Sequence, residues 1–125
     1  MTYTEDVIQN AICKYLDMRK VCYWAVPNGG SRKGGAIEGA RLKKTGVKSG
    51  VPDITVVYDG MYWGLEVKRP STDKHPKGYL TQSQKDMHEK IRNAGGSVET
   101  VYSVADVILW LNTEVMYERK FEVEK

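Results

Sequence analysis

The stretch around a single Asp-Gly dipeptide limits most strongly how this chain can fold. Ile54–Tyr58 and Met61–Val67 are rich in β-branched and aromatic residues, and Asp59-Gly60 between them is a strong signal for a two-residue hairpin turn. A turn of this length fixes the register, because the last residue of the first strand then pairs with the first residue of the second. Carried outward along both strands, this register places Asp53 directly opposite Glu66.

Three charged side chains are predicted to meet at the open end of this hairpin. Directly opposed residues have Cβ atoms roughly 4.5–5.5 Å apart, and like charges at that distance repel each other. Because side chains alternate along a strand, Lys68 shares the face of Glu66, while Val67 points into the predicted core. Two acids and a base that converge in this way are typical of a divalent-cation site. The alternative is a solvated strand face that carries a weak ion pair.

Two further polar side chains, Glu5 and Gln84, belong to predicted helix starts, and each has two interpretations. Thr2-Tyr3-Thr4-Glu5 fits a capping box, and Glu5 also lies one turn before Ile8 on the inward face of that helix. Thr81-Gln82-Ser83-Gln84 fits a second capping box, and Gln84 stands at the head of an inward stripe formed with Met87, Ile91 and Ala94. Each side chain therefore either satisfies only a backbone amide or lines the site.

Basic residues flank the hairpin on both sides. The net charge of +3 implies little by itself, but six basic residues and a single acid, Glu38, lie between positions 32 and 48. A second basic run extends from Lys68 to Lys77. A phosphate backbone that approached the carboxylates would need such charges, whereas the alternative is a set of solvated, mobile loops. The candidate DNA-binding residues are Arg32, Lys33, Arg41, Lys43, Lys44 and Lys48.

Length and cysteine content exclude several classes of protein. A chain of 125 residues is long enough for one core and too short for two, so we expect one domain spanning residues 1–125. Cys13 and Cys22 lack zinc-site spacing and are expected to be small buried residues in a reduced, cytoplasmic protein. No apolar run reaches the length of a membrane span, and no signal peptide is recognisable.

Periodicity predicts the remaining elements, in the order α-β-(α)-β-β-α-β-α. The tail, residues 112–125, is compatible with an extra strand, a partner-binding arm or a partly disordered segment. The predicted last helix starts at Ser103 and turns Val104, Val107, Ile108 and Leu111 inward. The other predicted elements are a helix to about Arg19, a strand at 21–26, a mobile glycine-rich segment at 28–35, a short helix at 36–45, a helix at 82–94 with Gly95 as its C-cap, and a strand at 97–102.

Pro-Asp, a short hairpin and Glu-Val-Lys together resemble the motif of the PD-(D/E)xK nucleases. The flanking sequence resembles one branch of them, the virus-type replication-repair nuclease (VRR-NUC) domain, over residues 4–111. This resemblance implies a restriction-endonuclease-like α/β core, with an α-β-β-β-α-β mixed sheet flanked by helices. The matching stretches are Glu5-Asp6-Val7-Ile8-Gln9, Gly46-Val47-Lys48-Ser49-Gly50-Val51-Pro52-Asp53, Leu65-Glu66-Val67-Lys68 and Leu80-Thr81-Gln82-Ser83-Gln84.

The resemblance also implies a chemistry for the site. Asp53, Glu66 and the backbone carbonyl of Val67 would hold Mg²⁺ or Mn²⁺, and Lys68 would act on the attacking water. Glu5 would contribute to the metal site directly or through water, and Gln84 would line the site.

The expected activity is metal-dependent hydrolysis of DNA phosphodiester bonds. Small members of this branch resemble four-way (Holliday) junction resolvases, which work as homodimers, and spare aromatics at Tyr3, Tyr117 and Phe121 would suit a dimer surface. A nuclease of broader specificity for flaps, nicks or duplex DNA is the alternative. A DNA-binding module without catalysis is disfavoured, because Asp53, Glu66 and Lys68 are all present.

Overall fold

The computed structural model describes residues 4–27, 35–72 and 75–116, with the backbone alone for residues 35–39. The predicted order of elements is confirmed. In chain order they are α1 (Glu5–Met18), β1 (Cys22–Ala25), α2 (Gly35–Lys44), β2 (Ile54–Tyr58), β3 (Met61–Val67), α3 (Gln82–Asn93), β4 (Ser97–Val101) and α4 (Val104–Trp110), followed by a π-helical turn at Leu111–Val115.

A four-stranded sheet with the order β1-β2-β3-β4 forms the centre of the molecule. β1, β2 and β3 pair antiparallel, whereas β3 and β4 are parallel and are connected through α3. The predicted two-residue turn is confirmed, since Asp59 and Gly60 have φ angles of 53° and 78° and the register runs from Tyr58↔Met61 to Ile54↔Leu65. This register is the one that brings Asp53 opposite Glu66.

The main core lies between one face of the sheet and the helices α1 and α4. α1 contributes a stripe of apolar residues spaced four apart, as an amphipathic helix requires. The rings of Trp63 and Trp110 meet edge to face, with centroids 5.7 Å apart. The buried members of this core are Ile8, Ile12, Leu16, Ile54, Val56, Leu65, Val67, Val101, Val107, Trp110, Leu111 and Val115.

α3 covers the opposite face of the sheet. Side chains of β3 alternate, so Leu65 and Val67 enter the core while Tyr62, Gly64 and Glu66 point the other way. A Cβ placed on Gly96, just after α3, would lie within 3.0 Å of side-chain atoms of both Ile91 and Tyr62. The first half of α3 faces Glu66, because Gln84 and His88 contact its carboxyl, so the predicted site lies between the sheet and this helix.

The start of α1 differs from the prediction. Thr4, not Thr2, is the N-cap, and its Oγ1 accepts a hydrogen bond from the Val7 amide at 3.3 Å. Glu5 is consequently the first helical residue and not the third residue of a capping box. The capping-box interpretation of Glu5 was therefore wrong.

Four residues predicted to be buried are exposed or only half-buried. Ile108 is 39% exposed, because the inward stripe of α4 runs through Val107 and Trp110 and turns Ile108 away. Cys22 is exposed on the edge strand β1, and Cys13 is only half-buried. Both thiols are free. Ala94 is exposed and forms the C-cap of α3, one residue before the left-handed Gly95.

The described part of the tail continues the last helix. Val115 is buried in the core and Met116 packs against it, so residues 112–116 form neither a strand nor a free arm. Tyr117 and Phe121 lie outside the described residues, as do Tyr3 and the segment 28–34. No helix within the described ranges is long and apolar enough to cross a membrane.

Candidate metal and nucleic-acid site

Backbone hydrogen bonds fix Asp53 on both sides. Its carbonyl accepts from the Val26 amide, just beyond β1, at 2.8 Å. Its carboxylate oxygen Oδ2 accepts from the Val67 amide at the end of β3, also at 2.8 Å. Asp53 is thus held between the ends of β1 and β3, the two strands that flank β2, with its carboxylate directed toward β3.

Glu66 is the most unusual ionisable group of the described site. Its side chain is 1% exposed. Burial raises the pKa of the Glu66 carboxyl to about 9, and a hydrogen bond with Asp53, the charge of Asp53 and the charge of Glu5 act in the same direction. The charge of Lys68 opposes them. In the absence of a cation, the protein therefore favours the protonated form of this carboxyl at neutral pH.

Two side chains of α3 contact the Glu66 carboxyl, one at each oxygen. His88 Nε2 lies 2.9 Å from Oε1, and Gln84 Nε2 donates to Oε2 at 3.3 Å. Gln84 Oε1 accepts from the Thr81 amide at 2.9 Å, which completes the predicted capping box. The side-chain amide of Gln84 therefore has both of the contacts considered from the sequence: it caps the start of α3 and it also contacts Glu66 in the candidate site.

His88 was missed by the sequence interpretation. It is 1% exposed, and burial lowers its pKa, with the charges of Arg92 and Lys68 acting in the same direction and that of Asp53 opposing them. The signal was present in the sequence, since His88 follows Gln84 by four residues and precedes Ile91 by three, which places all three on one helix face. The sequence analysis assigned the inward face of this helix to Gln84, Met87, Ile91 and Ala94, and His88 was therefore not considered.

Lys68 and Glu5 approach each other around Gly78. Lys68 is 7% exposed, and its amide donates to the Val101 carbonyl, so the parallel pairing with β4 continues past the end of β3. A Cβ placed on the buried Gly78 would lie 3.3 Å from Lys68 Cβ and 3.4 Å from Glu5 Oε2. Glu5 is exposed at the start of α1. The structure thus places Glu5 at the rim of the site and Lys68 in its wall.

A proline precedes Asp53 at the position that would face Val67. The observed pairing of β2 and β3 ends at Ile54↔Leu65, and its continuation by two residues would set Val67 opposite Pro52 in a hydrogen-bonded pair. Proline has no N–H, so position 52 offers no ladder donor to the Val67 carbonyl. Since the Val67 amide contacts the Asp53 carboxylate, the carbonyl of the same residue is a candidate ligand at this end of the hairpin.

The loop that carries Asp53 is packed against the start of α3. Gly50 has a φ of +80°, and a Cβ there would lie 2.2 Å from the carbonyl oxygen of Ser83. The hydroxyl of Ser83 donates to that of Ser49 at 2.9 Å. These contacts couple the position of Asp53 to the helix that contacts Glu66.

The donor set fits a divalent cation with few protein ligands. Within the described ranges, no three His, Cys, Asp or Glu side chains cluster as a complete ligand group. Mg²⁺ characteristically binds one or two carboxylates and keeps several waters, at about 2.0–2.1 Å. Asp53, Glu66 and the Val67 carbonyl match this preference, and a cation would favour the charged form of Glu66 against the burial and the neighbouring Asp53 that raise its pKa.

The predicted DNA-binding residues are only partly described. Arg41, Lys43 and Lys44 are exposed in the last turn of α2, and Lys48 is exposed beyond it. Arg32, Lys33 and Lys74 lie outside the described residues. In the second basic run, the Lys77 ammonium lies over the Tyr102 ring, 5.5 Å from its centroid. A cleft of about 430 Å³ beside the site is lined by Lys48, Ser49, Ser83, Asp86, Met87 and Lys90.

Known proteins resemble this chain in fold, and not in a detectable sequence match. Protein-family models give no match to the sequence, and curated proteins give none either. Similar solved structures include a "VRR_NUC domain protein", with a TM-score of 0.69 and 20% identity over 92% of this chain and 90% of that one. A second, a "VRR_NUC domain", has a TM-score of 0.59 and 20% identity over 88% of this chain and 96% of that one. The chain therefore has the VRR-NUC fold, and the predicted fold class is confirmed.

Proposed function

We propose that this chain is a metal-dependent nuclease of the VRR-NUC family that hydrolyses phosphodiester bonds in DNA. The observation that carries the proposal is the pair of carboxylates, Asp53 and Glu66, held opposite each other beside the buried Lys68. A buried carboxyl with a strongly raised pKa next to a second acid destabilises a fold unless a cation binds there.

Asp53, Glu66 and the Val67 carbonyl would hold Mg²⁺ or Mn²⁺. When bound, such an ion polarises a phosphate oxygen and lowers the pKa of a coordinated water. The donors come from two strand ends whose relative position is fixed by the hairpin register. Glu66 is therefore fixed by the sheet itself, and Asp53 by the hairpin and by the loop that is packed against α3.

Lys68 acts on the phosphodiester itself in this proposal. Its ammonium orients the attacking water and stabilises negative charge on the phosphoryl oxygens. Its low exposure limits competition from bulk water. Glu5, at the rim, would contact the metal through water, since it is not grouped with Asp53 and Glu66 as a direct ligand set.

We further propose that the substrate is branched DNA, with the four-way junction cut by a homodimer. Two matched cuts on a symmetric junction require two copies of a site carried by so small a chain. Nuclease activity on flaps, nicks or linear duplex is the alternative.

The deciding experiment compares a labelled four-way junction with its linear duplex in Mg²⁺ or Mn²⁺. We expect metal-dependent cleavage that Asp53→Ala and Glu66→Ala abolish while DNA binding persists. Paired, symmetric nicks on the junction alone would support the dimeric resolvase. Equal cutting of both substrates would establish a general nuclease, and full activity in either variant would refute the proposed site.

The exposed cations at the end of α2 supply a separate test of the DNA interface. Replacing Lys43 and Lys44 with Gln should weaken DNA binding and reduce the slope of log K against log salt by up to about 2, because each phosphate that a lysine neutralises adds about 0.9 to that slope. Lys14→Gln, on the exposed face of α1, is the matched control and should leave the slope unchanged. A double variant that retains the wild-type slope would show that these lysines are merely solvated.

A further inference from the structure

We propose that His88 is a positioning residue for the metal site: its Nε2–H fixes the Glu66 carboxylate in the orientation in which it binds the cation. This inference rests on the proposed metal-dependent function and deepens it. His88 lies on α3, is 1% exposed and contacts the Glu66 carboxyl, so it is shielded from solvent. Its effect on the reaction must therefore pass through Glu66.

The hydrogen-bond pattern determines which nitrogen donates. A carboxylate that binds a metal is only an acceptor, so the His88 nitrogen that lies 2.9 Å from Oε1 must be the donor. The other nitrogen, Nδ1, is buried and finds no partner among the residues that the structure describes. A proton there would add an unsatisfied buried donor, so the Nε2–H tautomer is the one that the surroundings favour.

The orphaned Nδ1 indicates why a histidine occupies this position. Leu or Met would fill the same space without leaving a buried polar atom unpaired, which is unfavourable for stability. Functional sites often contain an unfavourable feature of this kind, such as an unpaired buried polar atom, because the same side chain makes another interaction that function requires. Here the interaction is the short hydrogen bond with Glu66.

Gln84 and His88 together hold the carboxylate plane. They contact different oxygens from successive turns of one helix, and Gln84 is itself fixed by its bond to the Thr81 amide. Because each carboxylate oxygen has two acceptor directions, one bond at each oxygen leaves the other directions available to a cation. The contact at 2.9 Å is the shorter of the two, so His88 is the stronger constraint.

The test compares His88→Leu, which removes the donor, with His88→Gln, whose side-chain amide reaches the former Nε2 position. Mn²⁺ affinity is measured by titration calorimetry without DNA, alongside the melting temperature in EDTA and the metal dependence of cleavage. We expect His88→Leu to bind Mn²⁺ about 10–100-fold more weakly, as is usual when the partner of a metal ligand is removed. We expect His88→Gln to recover most of that affinity, and the exposed His75→Leu to leave it unchanged.

Each outcome decides the matter. His88→Leu that binds Mn²⁺ with wild-type affinity would overturn the inference, as would folded His88→Gln that binds no better than His88→Leu. If His88→Leu fails to fold, His88→Asn replaces it, because its shorter amide does not reach Glu66. A wild-type protein that binds no Mn²⁺ and cleaves no DNA would instead overturn the proposed function.

Discussion

Glu66→Gln should make the metal-free protein more stable, and increasingly so as the pH rises. The unfolded carboxyl titrates near 4.5, whereas the folded one titrates near 9. Because the pKa of Glu66 is higher in the folded state, its contribution to the free energy of unfolding is greatest below pH 4.5. That contribution decreases as the pH rises and is fully lost above pH 9. At pH 7 the Glu66 carboxyl is ionised in the unfolded chain and protonated in the folded one, so folding is coupled to the uptake of a proton. This uptake lowers the free energy of unfolding by about 3 kcal/mol, at about 1.36 kcal/mol per pH unit above 4.5.

The amide substitution removes this cost and gives up one hydrogen bond. The introduced amide would still accept from His88 through its oxygen and would donate to Asp53 through its nitrogen, but it would no longer accept from Gln84. That hydrogen bond is worth about 1 kcal/mol. The net gain should be near zero at pH 5, about 2 kcal/mol at pH 7 and about 4 kcal/mol at pH 8.5.

The measurement is urea unfolding of both proteins in EDTA across this pH range. A gain of about 2 kcal/mol corresponds to roughly 8 °C in Tm for a chain of this size. Glu89→Gln, on the exposed face of α3, is the control and should show no pH-dependent difference.

A difference between the two proteins that stays flat from pH 5 to pH 8.5 would refute the reasoning. So would a Glu66→Gln protein that is less stable than wild type at pH 8.5 in EDTA. Saturating Mn²⁺ should reverse the ranking, because only the wild-type carboxylate gains from the ion.

Two paired substitutions test the framework around the site. Gly50→Ala should abolish cleavage and lower the free energy of unfolding by more than about 2 kcal/mol, because its Cβ would meet the Ser83 carbonyl. Gly46 has a similar φ but open space around it, so Gly46→Ala should lower that free energy by only about 1–2 kcal/mol, as measured by urea unfolding. Equal effects of the two would show that the close approach does not matter. Trp110→Ala should cost about 3–5 kcal/mol through weaker core packing, while the exposed Leu109→Ala stays within about 0.5 kcal/mol. A mild Trp110→Ala would contradict its place in the core.

Local sequence patterns determined the hairpin and its register. Asp59-Gly60 permits the two left-handed residues of the tight turn, and alternation along both strands then leaves one register that buries Leu65 and Val67. The opposition of Asp53 and Glu66 follows from that register alone. The capping box of α3 was likewise readable, because Thr81 and Gln84 interact within one helical turn.

Periodicity failed where several helix faces were possible. In α4 the apolar residues surround more than half of the helix, so only packing against Trp63 decided that Trp110 is buried and Ile108 is not. The Thr-x-x-Glu pattern assigned the N-cap of α1 to Thr2, two residues too early. In the structure Thr4 is the N-cap, with an extended backbone and a side chain that accepts from the Val7 amide.

The sequence by itself thus determined which charged groups meet at the hairpin end, because strand pairing is a local rule that propagates one residue at a time. The tertiary structure decided what surrounds them. Docking of α3 onto the sheet buries Glu66, brings His88 to one of its oxygens and raises its pKa, and the packing of Gly50 against Ser83 locks the Asp53 loop to the same helix. These features depend on the distance between a helix and a strand, which no local pattern encodes.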